Sequence, residues 1–172
     1  MSNNEISSRD GYANFKSTLF NESDRGVALI SAAALDFELG ELLRGILVDN
    51  GRVANEMLAQ SRPLATFSAR IDMVYLLGWT SPDIRRELHF IRKIRNEFGH
   101  TFEDVTFSSP KIKSLCSHLK MSVHPNARER LKFTFSVAYI LGELHASKEK
   151  ASHLPERKSR PVPYRPDDEC PQ

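Results

Sequence analysis

The feature that most constrains the fold is a run of apolar residues at helical spacing between residues 21 and 50. Apolar side chains that recur every three or four residues lie on one face of an α-helix, and that face is stable when it is buried. Ser23 suits the N-cap because its hydroxyl accepts from a free backbone N–H, and Gly51 is expected to end the helix. The apolar positions are Val27, Ile30, Ala34, Leu35, Leu39, Leu42, Leu43 and Ile46.

The rest of the chain carries further helix signals with short connections. Ser81, Pro82 and Asp83 place a cap, a first-turn proline and a first-turn acid in the order that begins a helix. Four substantial helices joined by short segments predict an all-α, bundle-like domain. Besides the first helix, the predicted helices cover residues 66–78, 82 to about 98, and 127–150, with shorter ones at 56–60 and 110–119.

The ends of the chain differ from its middle. Residues 1–20 are predicted to form an arm with a short helix, and residues 21–152 to form the helical domain. Residues 153–172 contain five of the nine prolines and few apolar residues. Because such a segment cannot bury enough apolar surface to offset its ordering entropy, we expect a disordered tail.

Composition narrows the class of protein. The net charge of +2 is too small to indicate a nucleic-acid partner without local clustering of basic side chains. Cys116 and Cys170 form no metal-binding spacing, and the histidines show none either, so neither a metal nor a cofactor is expected. With no apolar leader and no run near the roughly 20 apolar residues of a membrane span, we expect a cytoplasmic protein without membrane contact.

Arg95 is the most informative residue, because the apolar spacing of the helix that begins at Pro82 predicts that this position is buried. A seam position is expected four residues after Ile91 and three before Phe98, and Arg95 occupies it. Arginine is rarely buried without a partner. We therefore predict an acidic partner, a water-filled cleft or an anionic ligand beside Arg95. The apolar positions of this seam are Ile84, Leu88, Ile91 and Phe98.

Asn96, Gly99 and His100 come shortly after Arg95 in the sequence. Gly99 is expected to break the helix, which would free His100 to turn back toward Arg95. A guanidinium stabilises charge on phosphoryl oxygens, and an imidazole moves protons near neutral pH. Such a pair can cleave RNA without metal by using the substrate's 2′-hydroxyl as nucleophile. Full acid–base chemistry would need another base or a second copy, as in a dimer.

The segment Arg95-Asn96-x-x-x-His100 near a helix end resembles the signature of the HEPN superfamily. The superfamily is all-helical and often dimeric, and many members are metal-independent endoribonucleases of toxin–antitoxin and phage-defence systems. The resemblance implies a HEPN-like bundle in which Arg95 and His100 are catalytic and Asn96 supports them.

A second resemblance, over about residues 20–145, is to the mannitol operon repressor family. Members of that family are helical proteins described as transcriptional regulators, yet they lack a recognisable DNA-reading module. The resemblance implies a homodimeric repressor that acts mainly through protein–protein contacts. It is carried by the segments 22–30 (ESDRGVALI), 34–36 (ALD), 63–71 (PLATFSARI) and 91–100 (IRKIRNEFGH).

Three other residues are candidate supports of the same site. Asp24 and Arg25 suit a helix start with a surface ion pair, or a polar edge of the cleft. Arg70 has no partner visible in the sequence. It is interpreted either as a solvated helix residue or as a residue that supports the same site.

Three functions therefore remain open. The favoured one is the regulator, with a regulatory protein as partner. The second is the ribonuclease, with RNA as substrate and an antitoxin as a possible partner. The third is a purely structural interaction protein in which Arg95 pairs with a core carboxylate, Asp36 or Glu38.

Overall fold

The computed structural model describes residues 19, 21–47, 50–100, 104–121 and 127–155, and the described part is all-helical. The prediction of an all-α fold is therefore confirmed for these residues. The predicted arm, apart from residue 19, and the tail beyond residue 155 lie outside the described residues. The helices are α1 (Asp24–Ile46), α2 (Gly51–Leu58), α3 (Phe67–Leu76), α4 (Pro82–His100), α5 (Pro110–Cys116) and α6 (Glu129–Ser152).

Local capping explains where the helices begin. Ser23 accepts a hydrogen bond from the Gly26 N–H at the start of α1, and Thr66 accepts one from the Ala69 N–H at the start of α3. The expectation for Gly51 is wrong. α1 ends at Ile46, and Gly51 is the first residue of α2, because the Asn50 side chain caps the new helix.

α1 and α4 each pack against four other helices of the domain. α4 contacts α1, α3, α5 and α6, and the most extensive helix pair is α1 with α6. Burial of apolar side chains from α1, α4 and α6 supplies the main stabilisation of such a bundle. The fully buried seam of α4 includes Leu88, Ile91, Ile94 and Phe98.

Two carboxylates join distant parts of the chain. Glu87, fully buried on α4, accepts hydrogen bonds from the backbone N–H groups of Lys120 and Met121, both at 3.0 Å, and from the Ser136 hydroxyl at 2.7 Å. Asp24 accepts from Arg130 at 2.6 Å and from the Phe107 N–H at 2.8 Å. These contacts fix the segments before α5 and α6 against the bundle.

Among the described residues, no helix combines the length and the apolar character that crossing a membrane requires.

Candidate functional site

Arg95 does not occupy the buried seam of α4. The seam passes through Ile94, which is fully buried, while Arg95 is exposed. A helical seam advances by three or four residues at each step, and from Ile91 the step of three leads to the apolar residue. The expected burial of Arg95 is therefore wrong, whereas the alternative of a solvent-filled cleft beside it agrees with the structure.

His100 is also placed differently from the expectation. α4 continues through Gly99 to His100, so the glycine does not break the helix. On a continuous helix a step of five residues leaves the two side chains about 140° apart around the axis. His100 is exposed and does not line the cleft that contains Arg95. One copy of the chain thus does not bring the two side chains together.

Arg95 and Asn96 lie in a cleft between α1, the start of α3 and α4, which we call the arginine cleft. Its volume is about 620 Å³, a size common for small-molecule sites. α1 contributes mostly apolar residues, the segment before α3 contributes the cap, and α4 contributes two arginines and an asparagine. The lining consists of Leu29, Ala32, Ala33, Asp36, Ala65, Thr66, Phe67, Ser68, Arg92, Arg95 and Asn96.

The charges of the arginine cleft favour an anion. Arg95 donates to the Asn96 side-chain oxygen at 3.1 Å and, among the described residues, forms no ion pair with a carboxylate. The Nε of Arg92 is shielded from solvent and has no hydrogen-bond partner in the described part of the chain. An unsatisfied buried donor costs about 1–3 kcal/mol, which an acceptor in the cleft would offset.

The start of α3 adds partial positive charge. Thr66 caps the Ala69 N–H, while the first N–H groups of the helix, those of Phe67 and Ser68, precede any intrahelical partner. The aligned peptide dipoles make such an end favourable for anions. Two guanidinium groups and a helix N-terminus thus share one concave surface.

Among the described residues that line the cleft, Asp36 is the one carboxylate, and it is bound by Arg70. The Arg70 guanidinium donates to the Asp36 carboxylate at 3.0 Å. Burial raises the pKa of Asp36 above its ordinary value of 3.8, and the opposing effects of Arg70 and Arg95 do not cancel it. Because Arg70 balances this carboxylate, the charges of Arg92 and Arg95 remain available to a ligand.

No family model, curated protein or solved structure matches this chain, so no relative assigns a role to the arginine cleft.

The structure separates the other predicted site residues. Arg70 lies beside the cleft and is not solvated, since it donates to two backbone carbonyls besides Asp36. Asp24 binds Arg130 and lies away from the cleft lining, and Arg25 is half-buried on the first turn of α1. The carboxylates considered as partners of Arg95 have other cations: Asp36 binds Arg70, and Glu38 binds Lys148 at 2.8 Å.

Arg92, Thr66 and Ser68 are cleft residues that the sequence did not single out as a group. Arg92 had a signal, since it lies three residues before Arg95 and therefore on the same side of α4. Thr66 and Ser68 had none, because only the packing of α3 against α4 brings the start of α3 to these arginines. Within the described ranges no group of three metal-ligating side chains occurs.

Proposed function

We propose that this chain is a transcriptional regulator of the kind that the mannitol operon repressor family represents. In this proposal it represses mainly through protein–protein contacts, as a homodimer. The observation that carries the proposal is the packing of α4 against four other helices. A recognition helix needs a free face that can enter the major groove. The basic residues of α4 that face the cleft lie in a concave surface instead.

A protein-contact mode also fits an exposed aromatic residue beside the cleft. Phe37 on α1 is 61% exposed and follows the cleft residue Ala33 by one turn. Aromatic residues are enriched at protein interfaces because they bury a large area at low entropic cost. We therefore place the partner surface on α1 around Phe37.

The experiment is a tethered reporter assay. The full chain, fused to an unrelated DNA-binding domain, is recruited upstream of a reporter promoter. We expect repression beyond that of the domain alone or of the domain fused to an unrelated helical protein. Phe37→Glu should abolish this repression, while Leu131→Glu, an exposed residue of α6, should retain it.

Two results would contradict a regulator that acts mainly through protein–protein contacts. One is reporter expression equal to that of the unrelated fusion. The other is strong enrichment of one DNA sequence from a random duplex pool by the chain alone, because this would show direct base readout.

A second candidate function, a metal-independent ribonuclease with a site shared between two copies, rests on the exposure of both Arg95 and His100. Arg95 and His100 are both exposed near the end of α4 but about 140° apart, so one copy cannot form the pair. A symmetric dimer can place His100 of a second copy beside Arg95. His100 would then take the proton of the 2′-hydroxyl, whose oxygen attacks the adjacent phosphorus. The imidazolium formed in this way gives its proton to the departing 5′-oxygen, and a 2′,3′-cyclic phosphate forms.

The nuclease is tested with RNA and excess chelator. We expect cleavage by the wild type and none by Arg95→Ala or His100→Ala alone. An equal mixture of the two variants should regain about a quarter of the wild-type rate, since half of the dimers are mixed and each has one intact composite site. Cleavage that survives both single substitutions would exclude this mechanism, and a mixture without recovery would exclude the shared site.

A further inference from the structure

We propose that the arginine cleft binds a small phosphate monoester whose remaining part is apolar or aromatic, as in a nucleoside monophosphate. The proposal rests on the proposed regulator in one respect, since the bound molecule would be its effector. Binding itself is measurable whether or not the chain represses a promoter.

The phosphate is the part that the polar wall recognises. Arg92 and Arg95, three residues apart on α4, line the cleft with Asn96 beside them. The Arg92 Nε is shielded from solvent and has no hydrogen-bond partner among the described residues, so the Arg92 guanidinium is not fully satisfied by them. Guanidinium groups match phosphate oxygens with paired, charge-assisted hydrogen bonds. The first N–H groups of α3 add further donors on the facing side.

The other wall indicates an apolar or aromatic body. Leu29, Ala32 and Ala33 of α1 face the cleft together with Phe67 of α3. Small side chains on one side and an aromatic ring on the other leave room for a flat group. The volume of about 620 Å³ is enough for a mononucleotide and lies in the range of small-molecule sites.

The charges outside the cleft favour a small ligand over a polyanion. Arg85 pairs with Asp72 at 2.6 Å, and Arg86 pairs with Asp83 at 2.9 Å. Lys111 pairs with Glu97 at 2.8 Å. A nucleic-acid backbone needs a continuous basic track. On α4 the basic residues beyond the cleft are largely balanced by acids, whereas Arg92 and Arg95 form no ion pair with a described acid.

The test is calorimetric titration of the full chain with five probes: AMP, adenosine, ribose 5-phosphate, inorganic phosphate and a ten-nucleotide RNA. We expect AMP to bind most tightly, because it alone among the small probes offers both the phosphate and an aromatic ring. Arg92→Gln and Arg95→Gln should each weaken AMP binding about tenfold or more. Arg86→Gln, the same change elsewhere on α4, should leave it unaltered.

A second pair of variants tests the position without removing a charge. Ala33→Phe fills the cleft from an exposed position of α1 and should block AMP, while Ala146→Phe at an exposed position of α6 should not. Unchanged thermal melting shows that each variant is folded.

Several results would overturn the proposal. These are equal binding of AMP and adenosine, insensitivity to Arg92→Gln and Arg95→Gln, or binding of the RNA without binding of AMP. If AMP binds as expected while the tethered chain fails to repress, the site stands and the regulator does not. If the chain represses but no probe binds, the regulator stands and the proposed binding site does not.

Discussion

Arg70 of α3 and Asp36 of α1 form an ion pair at the edge of the arginine cleft, whose lining includes Asp36. The guanidinium donates to the Asp36 carboxylate at 3.0 Å and also to the backbone carbonyls of Leu58 and Leu64, at 3.2 and 2.9 Å. One side chain therefore joins α1, the end of α2, the following loop and α3. The Arg70 side chain is 16% exposed, so these bonds are largely shielded from water.

Arg70→Ala should lower the free energy of unfolding by about 3 kcal/mol, because it leaves a half-buried carboxylate without its cation and carbonyls without their donor. Urea denaturation measures the change. The control is Arg44→Ala, which removes an exposed pair with Glu41 and should cost only about 0.5 kcal/mol. Equal losses for the two variants would contradict a structural role of Arg70.

The pH dependence of stability should reveal Asp36. Burial raises its pKa above 3.8 in the folded protein. The folded state then binds the proton more tightly than the unfolded chain, so the contribution of Asp36 is present below pH 3.8 and is lost as pH rises through the raised pKa. The Asp36→Asn variant has no carboxyl group that ionises at this position. Its stability relative to the wild type should therefore increase as pH rises from 3.8 through the raised pKa of Asp36.

Asp72 is the control for that experiment, because its pKa shift has the opposite direction and so does the expected change of stability with pH. Burial acts to raise its pKa, but hydrogen bonds from Arg85 and His89 outweigh it, and the pKa of Asp72 is lowered. Asp72 therefore contributes stability above pH 3.8 that is lost as pH falls through the lowered pKa. The stability of Asp72→Asn relative to the wild type should decrease as pH rises. Curves with the same sign for both variants would refute the assignment.

Glu87→Ala should destabilise the domain by about 3 kcal/mol or more. The carboxylate is fully buried and accepts from two backbone N–H groups and the buried Ser136 hydroxyl, and its removal leaves these three donors unpaired. Ser136→Ala removes a single bond and should cost about 1 kcal/mol. Both are measured by urea denaturation, and a loss for Glu87→Ala no larger than that for Ser136→Ala would be incompatible with this network.

Gly99→Ala should stabilise the protein by up to about 1 kcal/mol, since Gly99 is inside a continuous helix and alanine is the better helix former. An added Cβ would lie 3.8 Å from the Leu29 side chain, an ordinary contact. Gly78→Ala is the matched contrast, because Gly78 has a φ of 77° and alanine there should cost about 1 kcal/mol. Thermal melting compares the two, and a large loss for Gly99→Ala would indicate a helix break there.

Cys116 should be unreactive in the folded protein. Burial, assisted by the nearby Glu129 carboxylate, raises the pKa of its thiol to about 12, so almost no thiolate is present near neutral pH. In a Cys170→Ser background, labelling by a disulfide reagent should occur only as fast as the domain opens. The rate should rise sharply in denaturing urea, and rapid labelling in native buffer would contradict the burial.

The sequence by itself determined the helical class and most helix starts. The spacing of apolar residues and the caps Ser23 and Thr66 are local signals, and local interactions suffice to place them. Helical spacing did not identify the buried residue where two neighbouring residues satisfied the same spacing. Ile94 and Arg95 are both a helical step from Ile91, and only packing against the neighbouring helices decided that Ile94 is buried.

The tertiary structure alone decided the composition of the arginine cleft. Arg95 and Asn96 were singled out from the sequence, yet Asp36 and Ser68 reach the same cleft from α1 and α3. It also decided that Arg70 is bound and that His100 faces away from Arg95 within one copy. These are contacts between residues distant in the chain, and helical periodicity gives the face of each residue but not the helix that packs against it.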